Sequence, residues 1–285
     1  MNSKTLQRQR NRYSASYPSN REIIQMIGER LFERLDLVTI TPERILDIGC
    51  ADGYFTDQLE KRYKKAQVLG IDISNKMCQQ AQDNTRWLSK KRYLSCRHDQ
   101  LPLPDSSVDL IFSNLYSVWF EDLHRFFEEM NRVLTDTGLI IFTNLGPDSL
   151  KEITAAWHKA DPDYPHTENF ADMHDVGDAL TQNGFHGIVM ESESLTINYD
   201  SLSELHIDLK QSAQSSLNPK RRKTLVGKSR YQQYQSEVAQ LLTQDGLGCS
   251  LEIVYGHGWA GYKKPKMDIH DYRPTGIEIP TKIIE

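Results

Sequence analysis

Apolar residues first recur at helical spacing between residues 19 and 35, where Ile24, Ile27, Leu31 and Leu35 share one face. Ser19 and Glu22 stand at the spacing of a capping box and set the expected start of that helix. The next apolar run, RILDIGC (44–50), is too short for a helix and closes at a glycine-rich turn, so it reads as a buried strand. The alternation then repeats. Residues 54–65 read as a helix, 67–74 as a strand, and Ser74 caps a helix running to about residue 88. Residues 92–99 read as a strand. A loop marked by Pro102, Pro104, Asp105 and Ser106 leads to another at 108–115. A helix over 120–134 turns Leu123, Phe126, Phe127, Met130 and Leu134 inward, and a strand follows at 138–146. Five strands alternating with helices imply a mostly parallel sheet covered on both faces, an α/β fold of the Rossmann-like kind.

After Gly146 the alternation loosens. Pro147, at a first helical position, opens a helix through Trp157. A helix at 172–183 and a strand near 187–199 come next. Residues 201–243 read as helical with a basic, proline-containing break near 214–229, and 250–259 as the last strand, which brings the sheet to seven. The expected organisation is an N-terminal arm and lid helix (1–40), a core domain (41–262) with a helical insertion at about 200–245, and an extended tail (263–285) containing Pro265, Pro274 and Pro280.

Composition changes this picture little: 38% hydrophobic and 26% charged residues are ordinary for a globular chain. No apolar run approaches the roughly 20 residues of a membrane span. Charge is more informative. The net −5 conceals two acid-free basic segments, residues 1–21 with five basic residues and 209–236 with seven, on a strongly acidic remainder. Clustered positive charge suggests an anionic partner, although charge runs are also simply solvated. The Arg-rich start reads either as a basic arm or lid over a site or as a mitochondrial targeting segment; otherwise a cytoplasmic, monomeric protein is expected. The four cysteines lack metal-ligand spacing, and no HExxH or Gly-x-Ser-x-Gly motif is present, so neither a metal site nor a hydrolase is expected.

The candidate chemistry centres on DIGCADG, residues 47–53, where a strand runs through a small-residue turn into a helix. Its spacing, Gly49-x-Ala51-x-Gly53, is shorter than the dinucleotide fingerprint and is led by Asp47. Asp72, 19 residues after Gly53 and at the end of the next strand, can accept bonds from both hydroxyls of a ribose. Asp99 closes the third strand, where it can accept a bond from an adenine amino group, and Asn114 closes the fourth. Singly, each has a plainer reading: Asp47 bracing the turn, Asp72 capping a helix, Asp99 opening a turn, Asn114 purely structural. Together they place four polar groups on the carboxyl edge of one sheet, where ligands bind in open α/β folds. Ile73 and Gln100, next to two of these acids, join the expected cofactor-binding set.

At these residues a family resemblance emerges. ERILDIGCADGYF, DQLPLPDSSVDLIFSNL and GLIIFTNLGPDSLKE resemble class I S-adenosylmethionine-dependent methyltransferases. ADMHDVGDAL, GFHGIVMESESLTINYDSLSEL and LEIVYGHGW resemble the malonyl-acyl carrier protein O-methyltransferases of biotin synthesis. The resemblance spans about residues 13–260. It implies an S-adenosylmethionine cofactor and an acceptor carboxylate on a malonyl thioester of acyl carrier protein or coenzyme A; no membrane is expected, and nucleic acid is disfavoured because the basic segments lack interleaved aromatics for base stacking. It also implies an aromatic lid from Tyr17, with Tyr13 second; both could instead be staples for the following helix. Tyr17 and Trp119 are the expected catalytic-side residues. Arg221, Arg222, Lys223 and Lys228 are the expected docking residues for an acidic carrier. The chain departs from the family at Ala51, Pro18, the Asn114–Trp119 segment and QSAQSSLN (211–218). The last three lie toward the acceptor, which leaves three alternatives open. One is a methyltransferase with another acceptor. Another is a protein-arginine hydroxylase or respiratory complex I assembly factor of similar sequence. The third is a binding protein without catalysis.

Overall fold

The structure is a computed structural model that describes residues 3–120 and 122–261. The expected tail, 263–285, lies outside the described residues. Strands β1 (Arg44–Ile48), β2 (Gln67–Asp72), β3 (Arg92–Ser95), β4 (Val108–Ser113), β5 (Leu134–Leu145), β6 (Phe185–Tyr199) and β8 (Gly246–Ala260) form one sheet in the order β3-β2-β1-β4-β5-β8-β6, and the two-residue β7 (Leu242–Thr243) pairs with β8 off that path. β1 through β5 pair in parallel, while β8 runs antiparallel to both β5 and β6.

Successive strand residues point to opposite faces, and both faces here are apolar. Leu46 and Ile48 of β1, Ile111 of β4, and Ile140 and Phe142 of β5 pack in one core. Leu123, Phe126, Phe127 and Met130 of α5 (Leu123–Val133) and Val176, Ala179 and Leu180 of α7 (Met173–Gln182) pack against them. The alternate residues Ile45, Leu110, Phe112, Leu139 and Ile141 pack in a second core with α2 (Glu22–Glu33) and α3 (Tyr54–Arg62). Two-sided burial is what makes these strands continuous apolar runs rather than alternating ones. Gly28 of α2 has a steric reason to lack a side chain: a Cβ there would stand 2.2 Å from the Phe55 ring and 2.5 Å from Asn114 Nδ2.

Several expected boundaries move. Residues 3–13, expected as an arm, form α1 (Ser3–Tyr13), with Leu6 fully buried in the first core. Ser19 and Glu22 do not form a capping box. Tyr17-Pro18-Ser19 closes its own 3-10 turn, so α2 begins only at Glu22, behind Arg21, with no side-chain cap. Helix α4 (Asn75–Asp83) does start at a Ser74 cap, whose side chain accepts from the Met77 amide, but it ends sooner than expected. Strand β3 stops at Ser95, which places Asp99 in a turn beyond it. Pro147 opens a turn rather than a helix. Leu150, in a left-handed conformation with its N–H donating to Ser250 O, delays α6 to Lys151–Ala160.

The segment between β6 and β8 carries α8 (Leu202–Gln211) and α9 (Lys228–Ala239) around a third core that includes Ile153, Leu205, Tyr234, Val238 and Leu247. Trp157 lies stacked between His166 and Tyr234, 3.8 Å from each ring. β8 is paired with β5 only from Ile253 to Trp259, whereas its pairing with β6 continues to Leu247. The free end of this two-stranded ribbon carries the helices of the third core.

Phe127 is fully buried and meets the rings of Phe126, Phe142 and Phe185 at centroid distances of 5.2, 5.3 and 6.2 Å. Phe127→Ala is expected to destabilise the fold by about 3–5 kcal/mol, through lost burial plus a residual cavity. Leu225→Ala, at a position 96% exposed, should change stability by less than about 0.5 kcal/mol. Urea unfolding of the two variants checks the contrast.

Candidate active site

The turn after β1 is held in place by β2: the N–H groups of Gly49 and Cys50 both donate to Ile71 O, at 2.7 and 3.0 Å. Gly49 has φ +83°, and a Cβ on it would lie 2.5 Å from the Tyr116 ring, so the turn accepts only glycine there. Ala51, at φ +47°, tolerates a left-handed conformation through its small side chain, and Gly53, at φ +85°, caps α3. Asp47, 2% exposed, accepts a 2.6 Å bond from Thr56 Oγ1. Burial pushes its carboxyl up to about 7, against the Thr56 bond and with help from the charge of Asp72.

Asp72 is the last residue of β2 and is fully buried. Its Oδ1 accepts from the Ser74 amide at 2.8 Å and its Oδ2 from the Ala51 amide at 3.2 Å. It also accepts both arms of a guanidinium, Arg10 Nε on Oδ1 at 3.1 Å and Arg10 Nη2 on Oδ2 at 2.7 Å. Arg10 is itself 4% exposed. The acid-free run around it reads from the sequence as a basic arm or lid over a site, or as a targeting segment, without Arg10 being singled out. Leu6, Arg10, Ser14 and Tyr17 are all buried and recur at helical spacing, but Arg10 and Ser14 are polar, so no apolar periodicity marks this face in the sequence.

Two cavities lie close by: Leu6, one turn before Arg10, lines one, and Ala51, whose amide donates to Asp72, lines the other. One, of about 220 Å³, is lined by Leu6, His98, Asp99, Trp119, Phe120 and Phe126, among others. Asp99 is paired there with Arg97, through bonds of 2.8 and 2.6 Å, and with Arg125 at 3.4 Å; these hold its carboxyl down at about 2, the Arg97 bonds contributing most. His98 stacks on Phe120 at 3.4 Å, and burial lowers its pKa to about 4, so its ring is neutral at pH 7. The second cavity, of about 20 Å³, is lined by Tyr17, Arg21, Asp47, Gly49, Ala51 and Asn114, among others. Tyr17 is buried, its phenol pushed up to about 12 by burial. Asn114 Nδ2 donates to Ile24 O while its Oδ1 accepts from Thr143 Oγ1, each at 2.8 Å, so this side chain also ties α2 to the strand ends.

An apolar chamber of about 80 Å³ adjoins, lined by Ile23, Ile24, Ile27, Leu115, Val118, Trp119 and Phe170 among others. Trp119 lines both this chamber and the Asp99 cavity. Its indole N–H, and the hydroxyls of Ser113, Tyr116 and Ser117, are buried without a hydrogen-bond partner among the described residues. Buried polar groups are normally paired, and of these four residues Trp119 is the one that lines a cavity, which marks its indole N–H as a donor available to a ligand.

The remaining expected residues are dispersed. Ile73 is buried beside Asp72, its carbonyl accepting from Gln7 Nε2 at 2.9 Å. Gln100 is exposed, and Tyr13 half-buried at the end of α1. Arg221, Lys223 and Lys228 lie on the insertion. Arg222 turns inward to fully buried Asp161, with bonds of 2.7 and 2.6 Å. It pins the basic loop rather than presenting a free charge.

A mostly parallel sheet of this order, with an acid-led small-residue turn after β1 and a buried acid closing β2, defines a class I S-adenosylmethionine-dependent methyltransferase. A family model described as a methyltransferase domain matches residues 46–142. The chain is 37% identical over 266 residues to a malonyl-[acyl-carrier protein] O-methyltransferase of Legionella pneumophila, covering 93% of each protein. It is 37% identical to one of Nitrosospira multiformis, covering 82% of this chain and 81% of the relative. The crystal structure of the YcgJ protein of Bacillus subtilis superimposes with a TM-score of 0.59 at 17% identity, covering 82% of this chain and 99% of that one. The chain belongs to the malonyl-[acyl-carrier protein] O-methyltransferase family.

The residues present fit the donor at both ends of the cleft. The glycine turn and Asn114 face the small cavity and Asp99 the larger one. At the middle, Asp72 is engaged by Arg10.

The raised carboxyl of Asp47 has a measurable consequence. A folded-state value near 7, against about 4 in the unfolded chain, gives a stabilising contribution that is complete below pH 4 and lost as pH rises through 7. Asp47→Asn should therefore gain stability relative to wild type between pH 5 and pH 8, by on the order of a few kcal/mol. Urea midpoints at the two pH values test this, and parallel pH dependence in both proteins contradicts it.

Proposed function

We propose that this chain transfers the methyl group of S-adenosylmethionine to the free carboxylate of a malonyl thioester carried by acyl carrier protein. The observation that carries this reading is the apolar chamber beside the donor cleft, with the unpartnered indole N–H of Trp119 on the wall common to both. When bound, the donor supplies an electrophilic methyl group on a sulfonium.

The acceptor carboxylate, with a pKa near ~4, is already a nucleophile at neutral pH. Consistently, no histidine, lysine or cysteine lines the chamber among the described residues. Its two acids are engaged: Asp208 accepts from Tyr199 OH at 2.8 Å, and Glu168 accepts from Ser216 Oγ at 3.0 Å and from the Leu217 amide. The chain's work is therefore to orient and to exclude water, which can lower a barrier by roughly 7–11 kcal/mol. In this reading Trp119 donates to the acceptor carboxylate, and Tyr17 offers an aromatic face to the sulfonium.

A larger cavity of about 350 Å³ shares Leu150, Glu168, Phe170, Leu209 and Gln214 with the chamber and includes exposed Lys210 on its wall. It is the natural route for a thioester on a long arm. Arg221, Lys223 and Lys228 on the same insertion would steer an acidic carrier.

Incubation with S-adenosylmethionine and malonyl-acyl carrier protein should give a product heavier by one methylene, together with S-adenosylhomocysteine. Donor binding with no such product refutes the acceptor assignment. Trp119→Phe should lower kcat roughly tenfold, the worth of one buried hydrogen bond, with the donor Kd little changed. Reversing Arg221 and Lys223 to Glu should raise the KM for the carrier-bound substrate severalfold at low salt, an effect that fades as salt is added. A KM that stays put at low salt rules out the docking surface.

A further inference from the structure

We infer that α1 is a latch that closes the donor cleft through Arg10, so that cofactor binding requires this helix to be displaced. An ionised carboxylate offers about four lone-pair sites. On Asp72 all four are used: two by the Ser74 and Ala51 amides and two by the Arg10 fork. Neither hydroxyl of a ribose can be accepted until Arg10 leaves. The two cavities agree with this placement. Leu6, one turn before Arg10, lines the Asp99 cavity, and Tyr17 lines the cavity at the glycine turn. The Arg10 guanidinium also lies 5.9 Å over the Tyr116 ring, whose edge closes on Gly49. The latch thus divides one cleft into two.

The side chain cannot simply swing aside. Arg10 is 4% exposed beneath its own helix. That helix is fixed by Leu6 in the core, by Gln7 Nε2 donating to Ile73 O, and by Asn11 Oδ1 accepting from Ser74 Oγ at 2.6 Å. α1 is also tied to the acceptor side. Gln9 Nε2 donates to Ala213 O at 3.0 Å and to Ser215 O at 2.9 Å, and Ser16 Oγ, just beyond the helix, donates to Gln211 O at 3.2 Å. Gln214 and Ser215 line the larger cavity. Displacing α1 therefore releases residues 211–215 as well, and the donor and acceptor sites open together. Such coupling is reciprocal: an acceptor that loosens this segment promotes donor binding.

The inference rests on the donor assignment and not on the malonyl acceptor, and its test measures donor binding directly. Calorimetric titration of S-adenosylhomocysteine into Arg10→Ala should give a Kd at least threefold lower than wild type, with Arg10→Lys between them, because lysine replaces a two-pronged contact with a point charge. Hydrogen exchange on the wild-type protein provides a readout that does not depend on how the variants fold. Adding S-adenosylhomocysteine should speed exchange at the amides of residues 3–13 and 211–215. Weaker or unchanged binding by Arg10→Ala, or slower exchange in α1 on ligand addition, overturns the latch and makes Arg10 part of the loaded site. A wild-type protein that binds no S-adenosylhomocysteine, with Arg10→Ala equally inert, overturns the donor assignment itself.

Discussion

The site depends on the parallel pairing of β1 between β2 and β4. Leu46 and Asp47 lie beside Leu69 and Gly70 on one side and Ile111 and Phe112 on the other. That register brings the ends of these strands to one edge, and the amides of Gly49 and Cys50 then find their acceptor on β2. Both faces of this strand trio are sealed by apolar helices, so the polar groups at its edge are buried beside one another. Their electrostatics follow. Asp47 is driven toward neutrality, while Asp72 is surrounded by donors.

Two fully buried carboxylates, Asp72 and Asp161, are each neutralised by a basic residue from a second chain segment. Asp72 draws α1 down onto the sheet. Asp161 draws the loop carrying Arg222 onto α6, with His166 Nε2 at 2.8 Å completing the cluster. In both places a carboxylate contributed by the core collects a basic residue from a segment without acids. The two basic runs are thus partly internal scaffolding, which accounts for positive charge concentrated in so acidic a chain.

Much of the fold was legible because its strands are buried on both sides and its helices on one, so the two periodicities differ plainly along the chain. Asp47, Gly49, Ala51 and Gly53 were legible because a tight turn restricts which residues can stand there. What could not be read were long-range partners. Nothing local to Arg10 or Arg222 distinguishes them from solvated neighbours such as Arg12 and Lys223. Their burial is decided by acids 62 and 61 residues away. Capping at Ser19 failed for a similar reason, since Pro18 committed that residue to a turn first. The orphaned indole of Trp119 is a property of three-dimensional packing with no linear trace.

The ribbon formed by β6 and the free end of β8 holds the third core away from the strands that bear the glycine turn. It works as a cantilever: changes in α8, α9 or the basic loop fall mainly on this small third core, which meets the donor side through Ile23 of α2 and the contacts of residues 211–215 with α1 and Ser16, and not through the register of β1, β2 and β4. Substitutions in the insertion can therefore be accommodated without changing the strands that carry the glycine turn. The departures from family pattern at 211–218, set against a turn at 47–53 that departs only by the small residue Ala51, fit that division of labour.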